Sequence, residues 1–246
     1  MQGISHDAAY LWASAITNTI RAEDKSHPVV SGMHALAPGK DNGNWTIAGQ
    51  AEACDILTTH PYPFWCNHTT IDETLSFRTT MHATTETKFY SDISGKPCMA
   101  EEIGTMGPMV CSDEKAADFL RLNMFSLWAN GSTGVMWWCN SDQNLLETFP
   151  YTVQMVEREL GLMDDHYKPK PVLKEMKKFS EFMNNNNITL PKAKEHGVCL
   201  LTKNQDQWGA AYMTYCLAKS VGLNLKFSYA MEQELPESDL YLVPSP

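Results

Sequence analysis

The stretch Gly95–Gly104 reads Gly-Lys-Pro-Cys-Met-Ala-Glu-Glu-Ile-Gly. Its first three residues favour a turn, and a short apolar run follows. Such a run, bounded by turn residues, is typical of a strand of a parallel sheet that is buried on both faces. We therefore predict a strand over residues 98–102 that ends in two adjacent carboxylates, Glu101 and Glu102, with Gly104 allowing a sharp exit.

Similar short apolar runs precede and follow this stretch, and helical patterns separate them. We predict strands at 27–32, 53–60, 98–102 and 134–139, and helices at 8–22, 71–92, 113–130 and 171–183. Strands that alternate with helices indicate βα units and a parallel sheet. A (β/α)8 TIM barrel needs eight such units, and only four fit here. The fold class is therefore predicted to be α/β, with the second half of a barrel.

The pattern restarts after the run of four asparagines at 184–187, which we interpret as a linker. Strands are predicted at 197–202, 223–229 and 240–243, with a helix at 206–221. This is the expected beginning of a doubly wound α/β domain. The predicted domains are thus residues 1–187 and residues 188–246.

Composition narrows the possible functions. The 246 residues are 43% hydrophobic and 20% charged, with a net charge of −10. Such a chain can bury a core, and its acidic balance argues against nucleic acid or an anionic membrane as a partner. The seven cysteines form no CxxC pair, and no GxGxxG or P-loop is present, so neither a bound metal nor a cofactor is expected. The opening residues lack a secretion signal, which favours a cytoplasmic location.

Candidate functional residues lie at the predicted carboxyl ends of the strands, where barrels carry their reactive groups. Carboxylates perform glycosidic chemistry, and indole faces match the apolar faces of sugar rings. Since neighbouring residues of a strand point to opposite sides, only one of Glu101 and Glu102 can face the barrel mouth, and Gly104 favours Glu102. The other strand-end candidates are His34, His60, Tyr62, Trp65, Trp138 and Asp142.

Four motifs in order resemble the clan of retaining β-glycosidases that includes cellulases, β-mannanases and β-galactosidases. His60-Pro61-Tyr62 resembles the end of the clan's sixth strand, and Glu102-Ile103-Gly104 resembles the end of the seventh. Gly134-Val135-Met136-Trp137-Trp138 resembles the eighth strand. Gly161–Asp164, followed by Lys168–Pro171, resembles the run into the last helix. The resemblance covers roughly residues 8–183, and the tail resembles the start of a flavodoxin-like accessory domain.

The resemblance implies a role for each matching residue. Glu102 would be the nucleophile, and Tyr62 would donate a hydrogen bond that keeps it ionised. His60 would line the sugar site, and Trp138 would stack on the sugar. Trp65, His34 and Asp142 are further candidates for substrate binding, and the partner would be a β-linked oligo- or polysaccharide, with β-1,4 mannan or glucan favoured.

The clan's general acid/base, a glutamate of an Asn-Glu pair at the end of the fourth strand, has no counterpart in this sequence. A retaining mechanism needs two carboxyl groups. We therefore expect the chain to carry the nucleophile alone and to be inactive by itself. The open edges of a half barrel also predict self-association.

Two other functions stay open from the residues. A non-catalytic carbohydrate-binding or interaction module would explain the missing acid, but it would not need Glu102 and Tyr62. A metal-dependent barrel hydrolase could use His34, His60 and Glu102 as ligands, although no HxH or HExxH motif is present.

Overall fold

The computed structural model describes residues 3–66, 69–70, 72–153, 155–191, 193–203, 205–231 and 234–244. Two compact units make up the chain. The first comprises Met1–His60, Thr85–Met99 and Ala193–Pro246, and the second comprises Pro61–Thr84 and Ala100–Lys192. No helix of the described ranges is both long and apolar enough to cross a bilayer. The helices and strands in chain order are α1 His6–Glu23, α2 Ile47–Ala53, β1 Leu57–Thr59, α3 Phe77–Ser94, β2 Cys98–Ile103, α4 Asp113–Ala129, β3 Val135–Trp137, α5 Pro171–Asn185, β4 Gly197–Leu201, α6 Gln207–Ser220, β5 Leu225–Tyr229 and β6 Tyr241–Leu242.

The strands form two three-stranded sheets, of order β1-β2-β3 and β5-β4-β6. Strand β2 pairs in parallel with β3, with Ala100 opposite Val135 and Ile103 opposite Trp137. In the other sheet both neighbours of β4 run parallel to it. Parallel neighbours need crossover connections, which the intervening helices supply. The predicted α/β class with parallel strands is therefore confirmed.

The helices begin where the sequence supplies caps. The hydroxyl of Ser5 accepts a hydrogen bond of 3.2 Å from the backbone N–H of Ala8 at the start of α1. Ser112 caps α4 in the same way, and Asp113 and Glu114 follow in its first turn. A serine cap accepts a hydrogen bond from one of the free N–H groups at the start of a helix. Acidic side chains in the first turn are stabilised by the positive end of the helix dipole.

The core of the second unit lies between β2 and α4. Ala100 and Ile103 of β2 are completely buried, as are Phe119 and Leu120 of α4. Both Ala100 and Ile103 face this core, while Glu101 and Glu102 between them are half-buried. The strand thus presents its last carboxylates at the margin of the core.

In the first unit, α1 packs through small residues, with Ala9, Ala13 and Thr17 buried. The C-terminal sheet of the same unit is filled by aromatic rings. The ring of Phe227 lies 5.6 Å from that of Phe89 and 5.5 Å from that of Tyr215.

Two sequence predictions differ from the structure. The predicted strand at 27–32 is reduced to a single bridge between Val30 and Ile56. Pro28 has no N–H, and the Asp55 carboxylate accepts the N–H of Val29 at 2.8 Å, so few ladder bonds can form. The predicted helix 71–92 begins only at Phe77, and its first predicted residue, Ile71, lies outside the described residues. Helix α2 was not predicted.

The predicted division into domains after Asn187 stays a prediction. The compact units divide the chain at other points, because residues 85–99 pack with residues 193–246. One bond of that packing joins the backbone N–H of Phe227 to the Asp92 carboxylate at 2.9 Å.

Candidate functional site

Tyr62 and Glu102 meet in the second unit. Tyr62 immediately precedes the short 3-10 turn Pro63–Trp65, and Glu102 is the fifth residue of β2. The Tyr62 hydroxyl donates a hydrogen bond of 2.9 Å to Oε2 of Glu102. Of the two adjacent carboxylates, it is therefore Glu102 that accepts this bond from the phenol.

The electrostatic surroundings keep the phenol protonated. Burial raises the pKa of Tyr62 well above its ordinary value of 10.0, and the negative charge of Glu102 and its hydrogen bond raise the pKa further. Glu157 and Cys139 add smaller effects in the same direction. Tyr62 is therefore a hydrogen-bond donor at every physiological pH. Glu157 was not among the predicted site residues, because no sequence motif marks its position in the 3-10 turn Met155–Glu157.

Gly104 allows the backbones around this pair to approach closely. A Cβ atom at Gly104 would lie 3.3 Å from the carbonyl oxygen of Trp138 and 3.4 Å from Cε1 of Tyr62. The backbone N–H of Trp138 also donates to the carbonyl oxygen of Ile103 at 3.0 Å. The end of β2, the end of β3 and the Tyr62 ring thus approach one another so closely that an added Cβ at Gly104 would make tight contacts with both.

Three of the four tryptophans of this unit, Trp65, Trp137 and Trp138, lie near or beyond the ends of predicted strands, and they differ in exposure. Trp137 is partly buried against the core, and its indole N–H donates to the carbonyl oxygen of Leu160 at 2.8 Å. The Trp138 side chain is 39% exposed. Trp65 is 62% exposed, and its ring centroid lies 6.0 Å from that of Tyr62. Trp65 therefore offers an open aromatic face next to the Tyr62–Glu102 pair.

The two candidate histidines lie in the first unit. The rings of His34 and His60 stack with their centroids 4.4 Å apart and an angle of 19° between their planes. His34 is exposed, and His60, just beyond β1, is half-buried. The structure thus brings the two predicted histidines together.

Asp142 requires reassignment. Its side chain is only 8% exposed, and both carboxylate oxygens lie within hydrogen-bond distance of Nζ of Lys170, at 3.2 and 3.3 Å. One of these oxygens also accepts the backbone N–H of Gly161 at 2.8 Å. The carboxylate is thus engaged within the protein, and we assign Asp142 to holding the loop after β3 rather than to substrate binding.

Lys170 is the buried cation that this arrangement depends on. Burial lowers the pKa of Lys170, but its bonds to Asp113 and Asp142 outweigh that effect and leave the pKa raised. Nζ lies 3.1 Å from the Asp113 carboxylate. Lys170, which directly precedes α5, therefore links that helix to Asp113 at the start of α4 and to Asp142 in the loop after β3. Over the described residues, no group of three or more His, Cys, Asp or Glu side chains is placed to hold a metal ion.

Comparisons with known proteins support the fold. No family model and no curated protein matches the sequence. Solved structures do match. A GH5_18 protein from Streptomyces cattleya, solved in complex with Manβ1-4GlcNAc, has a TM-score of 0.76 at 18% identity, over 92% of this chain and 57% of that one. An exo-β-1,4-mannosidase from Opitutaceae bacterium strain TAV5 has a TM-score of 0.73 at 18% identity, over 95% of this chain and 44% of that one.

A β-galactosidase from Halorubrum lacusprofundi has a TM-score of 0.70 at 13% identity, over 97% of this chain and 36% of that one. The chain thus has the α/β fold of glycoside hydrolases, over part of their length. The predicted resemblance to barrel β-glycosidases is therefore confirmed for the fold. This chain spans between about one third and three fifths of the length of those proteins.

Proposed function

We propose that the chain is the nucleophile-bearing segment of a retaining glycoside hydrolase. In this proposal Glu102 attacks the anomeric carbon of a β-linked sugar, and Tyr62 orients its carboxylate. The observation that carries the proposal is the hydrogen bond of 2.9 Å from the Tyr62 hydroxyl to Oε2 of Glu102. A retaining enzyme needs its nucleophilic carboxylate held in one orientation, and a phenol that stays protonated donates the hydrogen bond that holds it.

Aromatic surface next to the pair supports a sugar as the ligand. We assign Trp65 and Trp138 to stacking on sugar rings, because both indoles are partly open to solvent. We assign His60 and His34 to polar contacts with the sugar, as the resemblance to barrel glycosidases implies. The substrate class we propose is a β-1,4-linked mannoside. This is narrower than the mannan or glucan expected from the sequence, and it is supported by two matched proteins that bind or cleave such linkages.

The general acid/base is the missing part of this proposal. In a retaining enzyme the second carboxyl group lies about 5 to 5.5 Å from the nucleophile. The sequence has no Asn-Glu pair to supply it. We therefore propose that the chain by itself forms a glycosyl-enzyme only with substrates whose leaving group needs no proton.

We also propose the domain assignment on the same basis. Residues 1–187 would be the second half of a (β/α)8 barrel, and residues 188–246 the beginning of a flavodoxin-like domain. The parallel order β5-β4-β6 supports the second part, because it puts the first strand between the second and the third, as flavodoxin-like sheets do.

Covalent trapping tests the nucleophile. The chain is incubated with 2,4-dinitrophenyl 2-deoxy-2-fluoro-β-mannoside, whose leaving group departs without protonation and whose fluorine slows hydrolysis of the adduct. The Glu102 carboxylate oxygen forms a bond to the anomeric carbon as the bond to dinitrophenolate breaks. We expect mass spectrometry to find one fluorosugar on the peptide that contains Glu102.

Matched variants complete the test. Glu102→Gln should abolish the label, whereas Glu101→Gln, the same change one residue away, should be labelled like the parent chain. Saturable binding of mannobiose without any label would favour a non-catalytic binding module. Dinitrophenolate release that stops in chelator would favour a metal-dependent hydrolase. Either result would reject Glu102 as a nucleophile.

A further inference from the structure

A hollow in the first unit combines aromatic rings with polar side chains. It has a volume of about 320 Å³, within the range of about 300–1,000 Å³ that small-molecule sites occupy. Its walls come from the loop before α2, from Phe89 of α3 and from the start of α6, and all of them belong to the first unit. The lining residues that carry chemistry are Asn42, Asn44, Trp45, Asp206, Gln207 and Trp208.

Two indoles form the aromatic part of the hollow. Trp45 and Trp208 are both half-buried, so each ring keeps some exposed surface. The Trp208 ring stacks on that of Tyr212, with centroids 5.3 Å apart and 13° between the planes, and its centroid lies 6.0 Å from that of Phe89. These contacts fix the indole of Trp208. A fixed and partly open indole offers a flat apolar face on which a sugar ring can stack.

Two carboxamides of the hollow are each held at one end by the protein. The side-chain oxygen of Asn42 accepts a hydrogen bond of 2.7 Å from the Tyr229 hydroxyl. The side-chain nitrogen of Asn44 donates to the carbonyl oxygen of Ile4. Each carboxamide has a donor end and an acceptor end, so the opposite end of each is left to contact a ligand.

The indole N–H of Trp45 has no acceptor among the described residues, although its nitrogen is enclosed. An enclosed donor without a partner costs stability, and nearly all such groups in native proteins bond to protein or to ordered water. A hydroxyl oxygen of a ligand in the hollow would accept this bond. The Trp45 N–H therefore indicates a ligand with acceptor oxygens.

The charge of the hollow disfavours anions. Over the described residues no lysine, arginine or histidine lines it, and its one charged side chain is Asp206, the N-cap of α6. The Asp206 carboxylate already accepts the backbone N–H of Gly209 at 3.0 Å. Carboxamides that both donate and accept suit the hydroxyl groups of an uncharged sugar, which do the same.

We propose that this hollow is a binding site for an uncharged oligosaccharide, a site that plays no part in the proposed reaction at Glu102. Trp45 and Trp208 stack on the sugar rings, because an indole presents a large apolar face. The Asn42 and Asn44 carboxamides bond to hydroxyl groups, and the Trp45 N–H donates to a hydroxyl oxygen. The inference stands independently of the nucleophile, since none of these residues takes part in the proposed reaction.

Fluorine NMR of the full chain tests the site. Growth on 5-fluorotryptophan gives each indole a signal, and the variants Trp45→Phe and Trp208→Leu assign the two signals of the hollow. The probes are two uncharged trisaccharides, β-1,4-mannotriose and cellotriose. We expect at least one of them to shift both signals saturably. The inference fails if neither probe does so.

A charged analogue tests the preference for an uncharged ligand. The β-1,4-linked glucosamine trisaccharide differs from cellotriose only in carrying an ammonium group in place of each 2-hydroxyl. It should bind no more tightly than the better of the two uncharged probes. Tighter binding of the cationic sugar would mean that Asp206 makes the hollow a cation site, and it would reject an uncharged ligand.

Two substitutions in the hollow should each weaken binding by roughly 3- to 10-fold. Trp208→Leu, followed by the Trp45 signal, removes an aromatic contact, and Asn44→Ala removes a hydrogen bond. Their matched controls lie outside the hollow. Trp128→Leu removes a half-buried indole of α4 that also packs on aromatic rings. Asn186→Ala removes an exposed carboxamide that also donates to a backbone carbonyl.

Both controls should keep the affinity of the parent chain, and all four variants should keep its circular dichroism. Equal affinities of the hollow variants and their controls would overturn the inference. Because Asn44 is exposed, Asn44→Ala gives this answer even if Trp208→Leu does not fold.

The Trp65→Ala variant separates this site from the sugar site of the proposed function. In that variant the signals of Trp45 and Trp208 should still shift, with unchanged affinity. Loss of the shifts would mean that they report sugar bound beside Glu102, and it would reject the hollow as a site of its own. If the shifts persist while covalent labelling of Glu102 fails, only the assignment of the nucleophile is rejected.

Discussion

The Tyr62 hydroxyl and Oε2 of Glu102 lie 2.9 Å apart, although the two residues are forty positions apart in the chain. Tyr62 lies just beyond the end of β1, and Glu102 lies near the end of β2. The bond thus forms beside the ends of two strands, and the sheet fixes the backbone that carries Glu102. A rigid sheet with reactive groups at one edge is the arrangement that barrel enzymes use.

We expect Tyr62→Phe to slow labelling of Glu102 by the fluorosugar about 10- to 100-fold, since a hydrogen bond to a charged group is worth about 1.5–3 kcal/mol. The substitution keeps the ring and removes the donor alone. The measurement is the rate of dinitrophenolate release under single-turnover conditions. Tyr10→Phe makes the same chemical change on α1 and should have no effect on that rate.

We expect Trp65→Ala to weaken binding of β-1,4-mannobiose about 3- to 10-fold, because one aromatic stacking contact contributes about 0.5–1.5 kcal/mol. Since Trp65 is 62% exposed, its loss should change the free energy of unfolding little. Isothermal titration calorimetry measures the affinity. Phe149→Ala removes an even more exposed aromatic ring, at 77%, and should leave the affinity as it was. Equal affinities of the parent and Trp65→Ala would remove Trp65 from the sugar site.

The elements that were predicted well are those whose signals are local. Helices α1 and α4 each begin after a serine cap and show apolar residues at helical spacing. Strand β2 is bounded by a turn before it and by Gly104 after it. In α4 and β2 the backbone preference and the burial pattern agree, so tertiary contacts had nothing to override. In α1 the backbone preference suffices for a helix, although its large apolar residues Leu11, Ile16 and Ile20 are exposed.

The missed elements depend on contacts that no short window of sequence contains. Helix α2 has seven residues, with a glycine among them, and is too short to show a period. The predicted strand at 27–32 failed because the Asp55 carboxylate takes a backbone N–H that a ladder would need. Which strand pairs with which, and whether a side chain takes a backbone N–H from the ladder, depends on the fold and not on the β propensity of the residues.

The candidate site likewise contains residues with a local sequence signal and a residue whose surroundings depend on long-range contacts. The meeting of Tyr62 and Glu102 could be predicted because strand ends converge in a parallel sheet, and the part of these two residues and Trp138 in a sugar site stays a prediction. Asp142 was assigned to the site by position alone, and only the structure reveals that Lys170, far along the chain, neutralises it. An ion pair between two loops has no spacing rule, so the sequence could not separate a substrate ligand from a structural carboxylate.

We expect Lys170→Met to lower the free energy of unfolding by about 3–5 kcal/mol, because it leaves the Asp142 carboxylate buried without its cation. Urea unfolding followed by fluorescence measures this loss. Lys174→Met removes an exposed lysine one turn further along α5 and should cost little. The double variant Lys170→Met/Asp142→Asn should regain part of the lost stability. If it is no more stable than Lys170→Met, the loss does not come from the broken ion pair.

Glu86 on α3 should make the stability of the chain depend on pH. Its Oε2 atom is enclosed, and no described residue hydrogen-bonds to it. Burial raises the pKa of Glu86 from 4.5 to about 8. The folded state therefore keeps a proton that the unfolded state loses. Stability is full below pH 4.5 and falls as the pH rises towards 8, by at most about 1.4 kcal/mol per pH unit.

Glu86→Gln removes this proton exchange, so we expect the variant to lose less stability than the parent chain between pH 5 and pH 8. Urea unfolding at both pH values gives the two differences, and subtraction cancels the contribution of other groups, such as Asp92, whose pKa burial also raises. Glu52→Gln makes the same change at an exposed position of α2 and should follow the parent. Parallel pH profiles for the parent and Glu86→Gln would mean that Glu86 is ionised in the folded chain.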